Sequence, residues 1–206
     1  LAVHGRTRCQ MYNGDADWHK ISAVVDAVSI PVIANGDIRC VDTAKQAIAA
    51  SGAAGVMVGR GAQGRPWLLA QIGDVLAGRK MRAAPSIRAR HELMRAHLDD
   101  MITYYGSAAM RLARKHISWY AYGLPGAAEF RNIANNTTDP ETVFAAVDKF
   151  FEQLYGEAQA AADALGALDA AAASDAFAVP VEAVSLPSLT TVVLVLAPRA
   201  LFHLRN

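Results

Sequence analysis

Three short segments combine glycine with arginine, asparagine or aspartate, and each follows an apolar run. They are His4-Gly5-Arg6-Thr7-Arg8, Asn35-Gly36-Asp37 and Gly59-Arg60-Gly61. Glycine lets the backbone approach a ligand without a Cβ in the way, and exposed amides with guanidinium groups are typical partners of a phosphate. The second and third segments together predict a phosphate-binding site. The first is either a group of catalytic or cofactor-binding residues or a merely solvated loop.

The elements that must position these segments repeat one pattern over residues 1–78. A short apolar run, a polar or glycine-rich turn and an amphipathic helix pattern occur three times. The pattern predicts strands over residues 1–4, 30–34 and 56–58, and helices over about 21–28, 41–50 and 66–77. Strands that alternate with helices predict a parallel sheet, which binds ligands at the carboxyl ends of its strands. We therefore expect the three segments to converge on one ligand.

From residue 85 onward the sequence has helical patterns alone. Apolar spacing predicts helices that end at Gly106 and Gly123, then a short helix over about 127–134. Thr138-Asp139-Pro140-Glu141 predicts a capping box with proline at the first helical position. Residues 85–156 are thus predicted to be an all-α helical bundle domain. Residues 157–206 are predicted to be an Ala-rich, poorly ordered tail.

Charge is distributed unevenly along the chain. The formal net charge is only +1, yet residues 60–131 hold twelve basic and five acidic residues, whereas residues 132–206 hold three and nine. A basic segment of this kind can bind the phosphate backbone of a nucleic acid. Arg111, Arg114 and Lys115 span little more than one helical turn and are candidates for RNA contact, with a solvated basic face as the alternative. Trp119 and Tyr120 are expected to be core residues rather than stacking platforms.

The two cysteines, Cys9 and Cys40, are too few for a disulfide framework and lack the spacing of metal ligands. We expect each to be a small, semi-buried residue, with no metal site. The sequence has no signal-peptide pattern and no apolar run long enough to cross a bilayer, which predicts a soluble, cytoplasmic chain with no membrane partner. We expect a monomer. Because the chain opens at Leu1 within a strand pattern, we also expect it to be part of a longer protein.

Four segments in this order resemble the tRNA-dihydrouridine synthases, nearest to the bacterial B subgroup. They are HGRTRCQMYNGDADW, IPVIANGDI, GVMVGRGAQGRPWL and RLARKHISWY, and the resemblance covers about residues 1–156. It implies that residues 1–80 are the C-terminal portion of a TIM (β/α)8 barrel that binds FMN, at about strands 6–8. Residues 85–156 would then be a helical tRNA-binding domain. The family uses NADPH to reduce uridine to 5,6-dihydrouridine in tRNA.

The resemblance also implies roles for single residues. Asn35, Gly36 and Asp37 match the first FMN-phosphate loop, and Gly59 with Arg60 matches the second. His4 matches a histidine near the flavin ring or the substrate base.

On the substrate side, the resemblance assigns tRNA or substrate contacts to Arg6, Arg111, Arg114 and Lys115. The family's general acid is a cysteine that comes before these segments, and neither Cys9 nor Cys40 occupies its position. We therefore expect no catalytic residue within this chain, and an isolated chain that is inactive.

Two other functions stay open on the sequence. One is a non-catalytic RNA-binding module that depends on the basic residues of segment 60–131. The other is a different phosphate-binding TIM-barrel enzyme with a helical appendage. The segment over residues 111–120 argues against the second, whereas tRNA binding without flavin would favour the first.

Overall fold

The structure is a computed structural model that describes residues 1–166 and 193–195, with side chains described as far as residue 158. The chain divides into two compact units, which we treat separately. Of the described residues, 1–84 and 193–195 lie in the first unit, and 85–166 lie in the second.

The first unit consists of parallel strands that alternate with helices. Its elements are β1 (Ala2–His4), α1 (His19–Ala27), β2 (Ile33–Asn35), α2 (Val41–Ser51), β3 (Gly55–Val58), a short 3-10 helix (Arg60–Ala62), α3 (Trp67–Leu76) and β4 (Val193–Val195). The sheet order is β1-β2-β3-β4, and every neighbouring pair is parallel. The predicted α/β class with a parallel sheet is confirmed.

Most boundaries in the first unit differ from the prediction by one to three residues, including the two that involve proline. Strand β2 begins at Ile33 rather than at residue 30, because Pro31 has no N–H to donate to a sheet ladder. Helix α3 begins at Trp67, with Pro66 as the residue before its first turn. The left-handed cap of α2 is confirmed, since Gly52 has φ +66° and donates its N–H to the carbonyl of Ile48.

Apolar side chains from the strands and helices form the core of the first unit. All four residues of β3 are buried, as expected for a parallel strand covered on both faces. On one side, Val56 and Val58 pack with residues of α2 and α3, including Ala44 and Ile72. This packing fixes the strand ends, and therefore fixes where the three loops begin.

The second unit is entirely helical in its described part. Its helices are α4 (Ile87–Tyr105), a short 3-10 helix (Gly106–Ala108), α5 (Ala109–Tyr120), α6 (Ala127–Asn135) and α7 (Pro140–Gly166). The core of the unit includes Met94, Leu98, Ile117, Val147 and Phe151, all almost completely buried.

The start of α7 differs from the predicted capping box. Pro140 is the first helical residue as predicted, but the cap is Asp139, whose carboxylate accepts the backbone N–H of Thr142 at 2.8 Å. The predicted pairing of Thr138 with Glu141 is wrong, because a proline at the first helical position makes the residue before it the cap. Helix α7 continues to Gly166, and residues 167–192 and 196–206 of the predicted tail lie outside the described residues.

A buried carboxylate ties the end of α3 to the segment that follows it. The side chain of Asp74 is only 7% exposed; it accepts hydrogen bonds from Arg82 Nε at 2.7 Å and from Arg79 Nη2 at 3.0 Å. Arg82, and after it Arg79, lowers the pKa of Asp74 from 3.8 to about 2, although burial opposes this shift.

We expect Asp74→Asn to lower the free energy of unfolding by about 1–2 kcal/mol at pH 7, since both arginines are half-exposed and solvent weakens the pairing. A lowered pKa stabilises the fold above the unfolded value, so the contribution is complete above pH 3.8 and is lost as pH falls toward 2. Urea unfolding at pH 7 and at low pH measures this. An equal loss at both pH values would contradict the ion-pair account.

Candidate functional site

The carboxyl ends of β1, β2 and β3 lie at one edge of the sheet, and the three predicted segments follow them there. The first loop covers residues 5–18, the second 36–40 and the third 59–66. Hydrogen bonds join the first two, since the backbone N–H of Ala16 donates to Asp37 Oδ2 at 2.9 Å. The structure thus brings together the residues predicted from all three segments.

Asp37 lies at the centre of this edge and contacts all three loops. Its Oδ2 accepts from Arg6 Nη2 and from the backbone N–H of Ala16 at 2.9 Å, both in the first loop. Its Oδ1 lies 3.3 Å from Arg39 Nη2 in the second loop and 3.6 Å from Arg60 Nη2 in the third. We call Arg6, Arg39 and Arg60 around Asp37 the arginine cluster.

Two glycines let the loops pack this closely. Gly36 has φ +116°, and a Cβ there would lie 2.7 Å from the Ala16 Cβ in the first loop. A Cβ at Gly61 would lie 2.4 Å from the carbonyl oxygen of Ile38, which is backbone of the second loop. Neither position has room for a side chain, so the loops can only meet with glycine there.

Further hydrogen bonds fix the loops against one another. Trp18 Nε1 donates to the carbonyl of Gly36 at 2.8 Å, and Asn35 Nδ2 donates to the carbonyl of Met57 at 2.8 Å. Arg65 donates from Nη2 to the carbonyl of Arg39 at 2.7 Å and from Nε to the carbonyl of Gly61 at 2.8 Å. These hydrogen bonds hold the three loops close together at the strand ends.

The arginine cluster has a surplus of positive charge. Three guanidinium groups surround one carboxylate, and the side chains of Arg39 and Arg60 are 67% and 59% exposed. Arg6 is only 2% exposed, and its Nη1 is buried without a partner in the described part of the chain. At Gly59 a Cβ would meet no atom of the described residues, which leave the backbone there open to a ligand. Surplus charge, an unused donor and open backbone fit a phosphate group.

His4 ends β1 beside the arginine cluster. Its Nδ1 accepts the backbone N–H of Arg6 at 3.1 Å, so in the neutral ring the proton lies on Nε2. Partial desolvation and the Arg6 guanidinium lower the pKa of His4, which favours this neutral form. His4 and Arg6 also line a shallow cavity of about 290 Å³, together with Thr7, Arg8, Met11 and Tyr12.

Comparison with known protein families identifies the family to which this chain belongs. The family described as dihydrouridine synthase matches residues 1–155. The chain belongs to the dihydrouridine synthase family. The resemblance found in the sequence is thereby confirmed over the part of the chain that holds all three loops and most of the helical unit.

Relatives of the dihydrouridine synthase family agree with this assignment. A Rickettsia conorii protein named probable tRNA-dihydrouridine synthase is 48% identical over 152 residues, which is 73% of this chain and 46% of the relative. A Pseudomonas syringae protein named tRNA-dihydrouridine synthase B is 44% identical over 155 residues, or 74% and 46%. The chain spans just under half the length of these relatives.

Neither cysteine takes part in the hydrogen bonds of the arginine cluster within the described residues. Cys9 is exposed on the first loop, so the expectation that it is semi-buried is wrong. Cys40 is half-buried as expected and caps α2, where hydrogen bonds from the backbone and side chain of Thr43 lower its pKa. Both are free thiols, and neither belongs to a group of metal ligands within the described residues.

Helix α5 carries the basic residues predicted to contact RNA. Arg111 and Lys115 are exposed and four residues apart, so they share one face of the helix. Arg114 is half-buried, and its Nε has no partner in the described part of the chain. Tyr120 is buried, as the core interpretation predicted, and burial raises its pKa to about 12.

Sequence reasoning missed several side chains that organise the three loops. Arg39 and Arg65 bridge the second and third loops, and Tyr12 lies under the Arg60 guanidinium at 4.6 Å. The only available signal was that Arg39 follows the Asn35-Gly36-Asp37 segment and Arg65 follows the Gly59-Arg60-Gly61 segment.

Within the described residues, no helix is long and apolar enough to span a membrane.

Proposed function

We propose that this chain forms part of a tRNA-dihydrouridine synthase that binds FMN, uses NADPH and reduces uridine to 5,6-dihydrouridine in tRNA. The observation that carries the proposal is the arginine cluster with its surplus positive charge, built at the strand ends of a chain that belongs to this family. The three strand–helix units are proposed to be consecutive units of an eight-stranded TIM barrel, at about strands 6–8.

In this proposal the second and third loops bind the FMN phosphate. The backbone of Asn35, Gly36, Asp37 and Gly59 and the exposed guanidinium of Arg60 would hold the phosphate. When bound, FMN supplies the hydride that it has received from NADPH. The attraction for the phosphate comes from arginine side chains that the folded loops already hold close together, so little rearrangement opposes binding.

His4 and Arg6 are proposed to face the flavin ring and the substrate base. The neutral imidazole of His4 donates from Nε2, because its Nδ1 already accepts from the backbone. Arg6 has one buried donor, at Nη1, that no described residue engages and that could bind a carbonyl oxygen of the ligand. A buried donor without a partner is costly, so a ligand that satisfies it gains affinity.

Neither cysteine of this chain is proposed to act as the general acid. Cys40 is engaged with Thr43 at the start of α2, and Cys9 is exposed on the first loop. The proton donor is therefore proposed to be a cysteine outside these residues. Free thiols at both positions support a reducing compartment, which we propose is the cytoplasm.

Helix α5 is proposed to contact the tRNA backbone through Arg111 and Lys115, with Arg114 beside them. These exposed charges also favour a second candidate function, a non-catalytic RNA-binding module, which needs the helical unit but not the flavin site. The two candidates differ in whether the three loops bind FMN.

The test compares the 206-residue chain with the full-length protein that carries its sequence. We expect the full-length protein to copurify with FMN and to form dihydrouridine in unmodified tRNA with NADPH, measured by mass spectrometry of digested tRNA. The 206-residue chain is expected to form none, because it lacks the general acid. Dihydrouridine formed by the 206-residue chain would refute the account of the cysteines, and flavin-free full-length protein that binds tRNA would favour the RNA-binding module.

A further inference from the structure

We infer that Asp37 is a positioning residue, whose carboxylate holds the arginines of the site in place and does not itself bind the flavin. This inference rests on the proposed function, because it concerns how the arginine cluster receives the FMN phosphate. The sequence grouped Asp37 with the cofactor-binding residues, and the structure separates its backbone from its side chain.

The acceptor positions of the Asp37 carboxylate are already engaged. Oδ2 accepts from Arg6 and from the backbone of Ala16, while Oδ1 faces Arg39 and Arg60. The side chain is only 10% exposed. Although burial alone would raise it, the pKa of Asp37 is lowered because it accepts the Ala16 N–H and faces Arg6 and Arg39. A buried, ionised and fully engaged carboxylate has little capacity left for a ligand.

The presence of the Asp37 carboxylate next to the proposed phosphate site requires an explanation. Like charges repel, so on simple electrostatics an acidic side chain weakens a phosphate site. The geometry supplies the reason, since this one group links Arg6 of the first loop, Arg39 of the second and Arg60 of the third. The repulsion between this carboxylate and the phosphate is offset because the carboxylate holds the arginines in position for the ligand.

Arg6 depends most strongly on this carboxylate. Its guanidinium is almost completely buried and has Asp37 as its ionic partner, while the carbonyl of Gly14 accepts from Nε at 3.1 Å. A buried charge that loses its partner is strongly destabilised, and the side chain then moves toward water. Loss of the Asp37 charge should therefore expose Arg6.

The Asp37→Asn variant separates two opposite expectations. Asparagine tolerates the left-handed φ of +52° at this position, so the backbone is not strained by the change. Simple electrostatics predicts tighter FMN binding, because one negative charge is lost. Positioning predicts the reverse, and we expect FMN affinity to fall about tenfold, as for the loss of one charge-assisted hydrogen bond.

Flavin titration of the full-length protein, followed by fluorescence quenching, measures this change. The fall should be larger for FMN than for riboflavin, because Asp37 also holds Arg39 and Arg60 for the phosphate that riboflavin lacks, whereas the contact of Arg6 with the flavin ring is lost for both. Asp26→Asn, an exposed residue of α1, removes the same charge and should change neither affinity. Unchanged or tighter FMN binding by Asp37→Asn would overturn the inference, as would an equal loss for FMN and riboflavin, which indicates a merely structural role.

A second measurement does not depend on flavin. Phenylglyoxal labels accessible arginines, and peptide mapping by mass spectrometry then reports the rate at each position. We expect Arg6 to be protected in the wild type and labelled at least severalfold faster in Asp37→Asn, but not in Asp26→Asn. If the wild type binds no FMN, the proposed function fails, while the labelling of Arg6 still decides whether Asp37 positions it. An unchanged rate at Arg6 would refute the positioning role.

Discussion

Gly61→Ala is expected to lower the free energy of unfolding of the first unit by about 2–3 kcal/mol, as overpacking of a close contact does. The new Cβ would lie 2.4 Å from the carbonyl oxygen of Ile38 and 3.0 Å from the Cα of Arg39. Both atoms are backbone, so no side-chain rotation relieves the contact. The second and third loops must move apart, and the arginine cluster moves with them.

Urea unfolding measures the stability change, and copurified flavin in the full-length protein reports the state of the site. Gly156→Ala is the matched control, because a Cβ there meets no atom of the described residues and the residue lies within helix α7. It should stabilise the protein by up to about 1 kcal/mol through helix propensity. If Gly61→Ala unfolds at the same urea concentration as the wild type, the close packing of these two loops is wrong.

Replacing Arg111 and Lys115 together by glutamine is expected to weaken tRNA binding roughly 25- to 60-fold at about 0.1 M salt. Each phosphate contact contributes a slope of about 0.7–0.9 in log affinity against log salt, which is worth about 5- to 8-fold at that concentration. Both side chains are exposed on one face of α5, so their removal leaves the core of the helical unit unchanged.

Filter binding of unmodified tRNA over a series of salt concentrations measures the affinity and its slope, and the slope should decrease by about 1.4–1.8. The control replaces Lys45 and Lys149 by glutamine, which removes the same charge from exposed positions of α2 and α7. The control should lose little affinity. An equal loss in both double variants would mean that net charge alone, rather than the face of α5, attracts the tRNA.

Local patterns were enough to predict most of the elements. The apolar spacing predicted the helices α2, α4 and α6 closely, because each has an apolar stripe and a recognisable end, such as Gly52 after α2. The start of β2 was wrong, since hydrogen bonding around Pro31 decides it rather than apolar character. The cap of α7 was wrong by one residue because two candidate caps, Thr138 and Asp139, are adjacent.

The position of the candidate site could be predicted from the sequence, but the pairing of its side chains could not. The three segments and their position after strands are features of the sequence, and parallel strands must bring them to one edge. The sequence does not show which side chains pair at this edge. Arg6 and Asp37 are 31 residues apart, and Arg65 and Arg39 are 26 apart, so no local pattern connects them.

The amino-acid sequence was enough to establish the strand–helix repeat, the glycine-rich loops and the family to which they belong, because these depend on short-range spacing and local backbone preference. The folded structure was needed to show that Arg6 is buried, that one donor of its guanidinium has no partner among the described residues, and that the carboxylate of Asp37 joins three loops. Burial and ion pairing depend on which loops the sheet brings together, and sheet packing between distant segments fixes that.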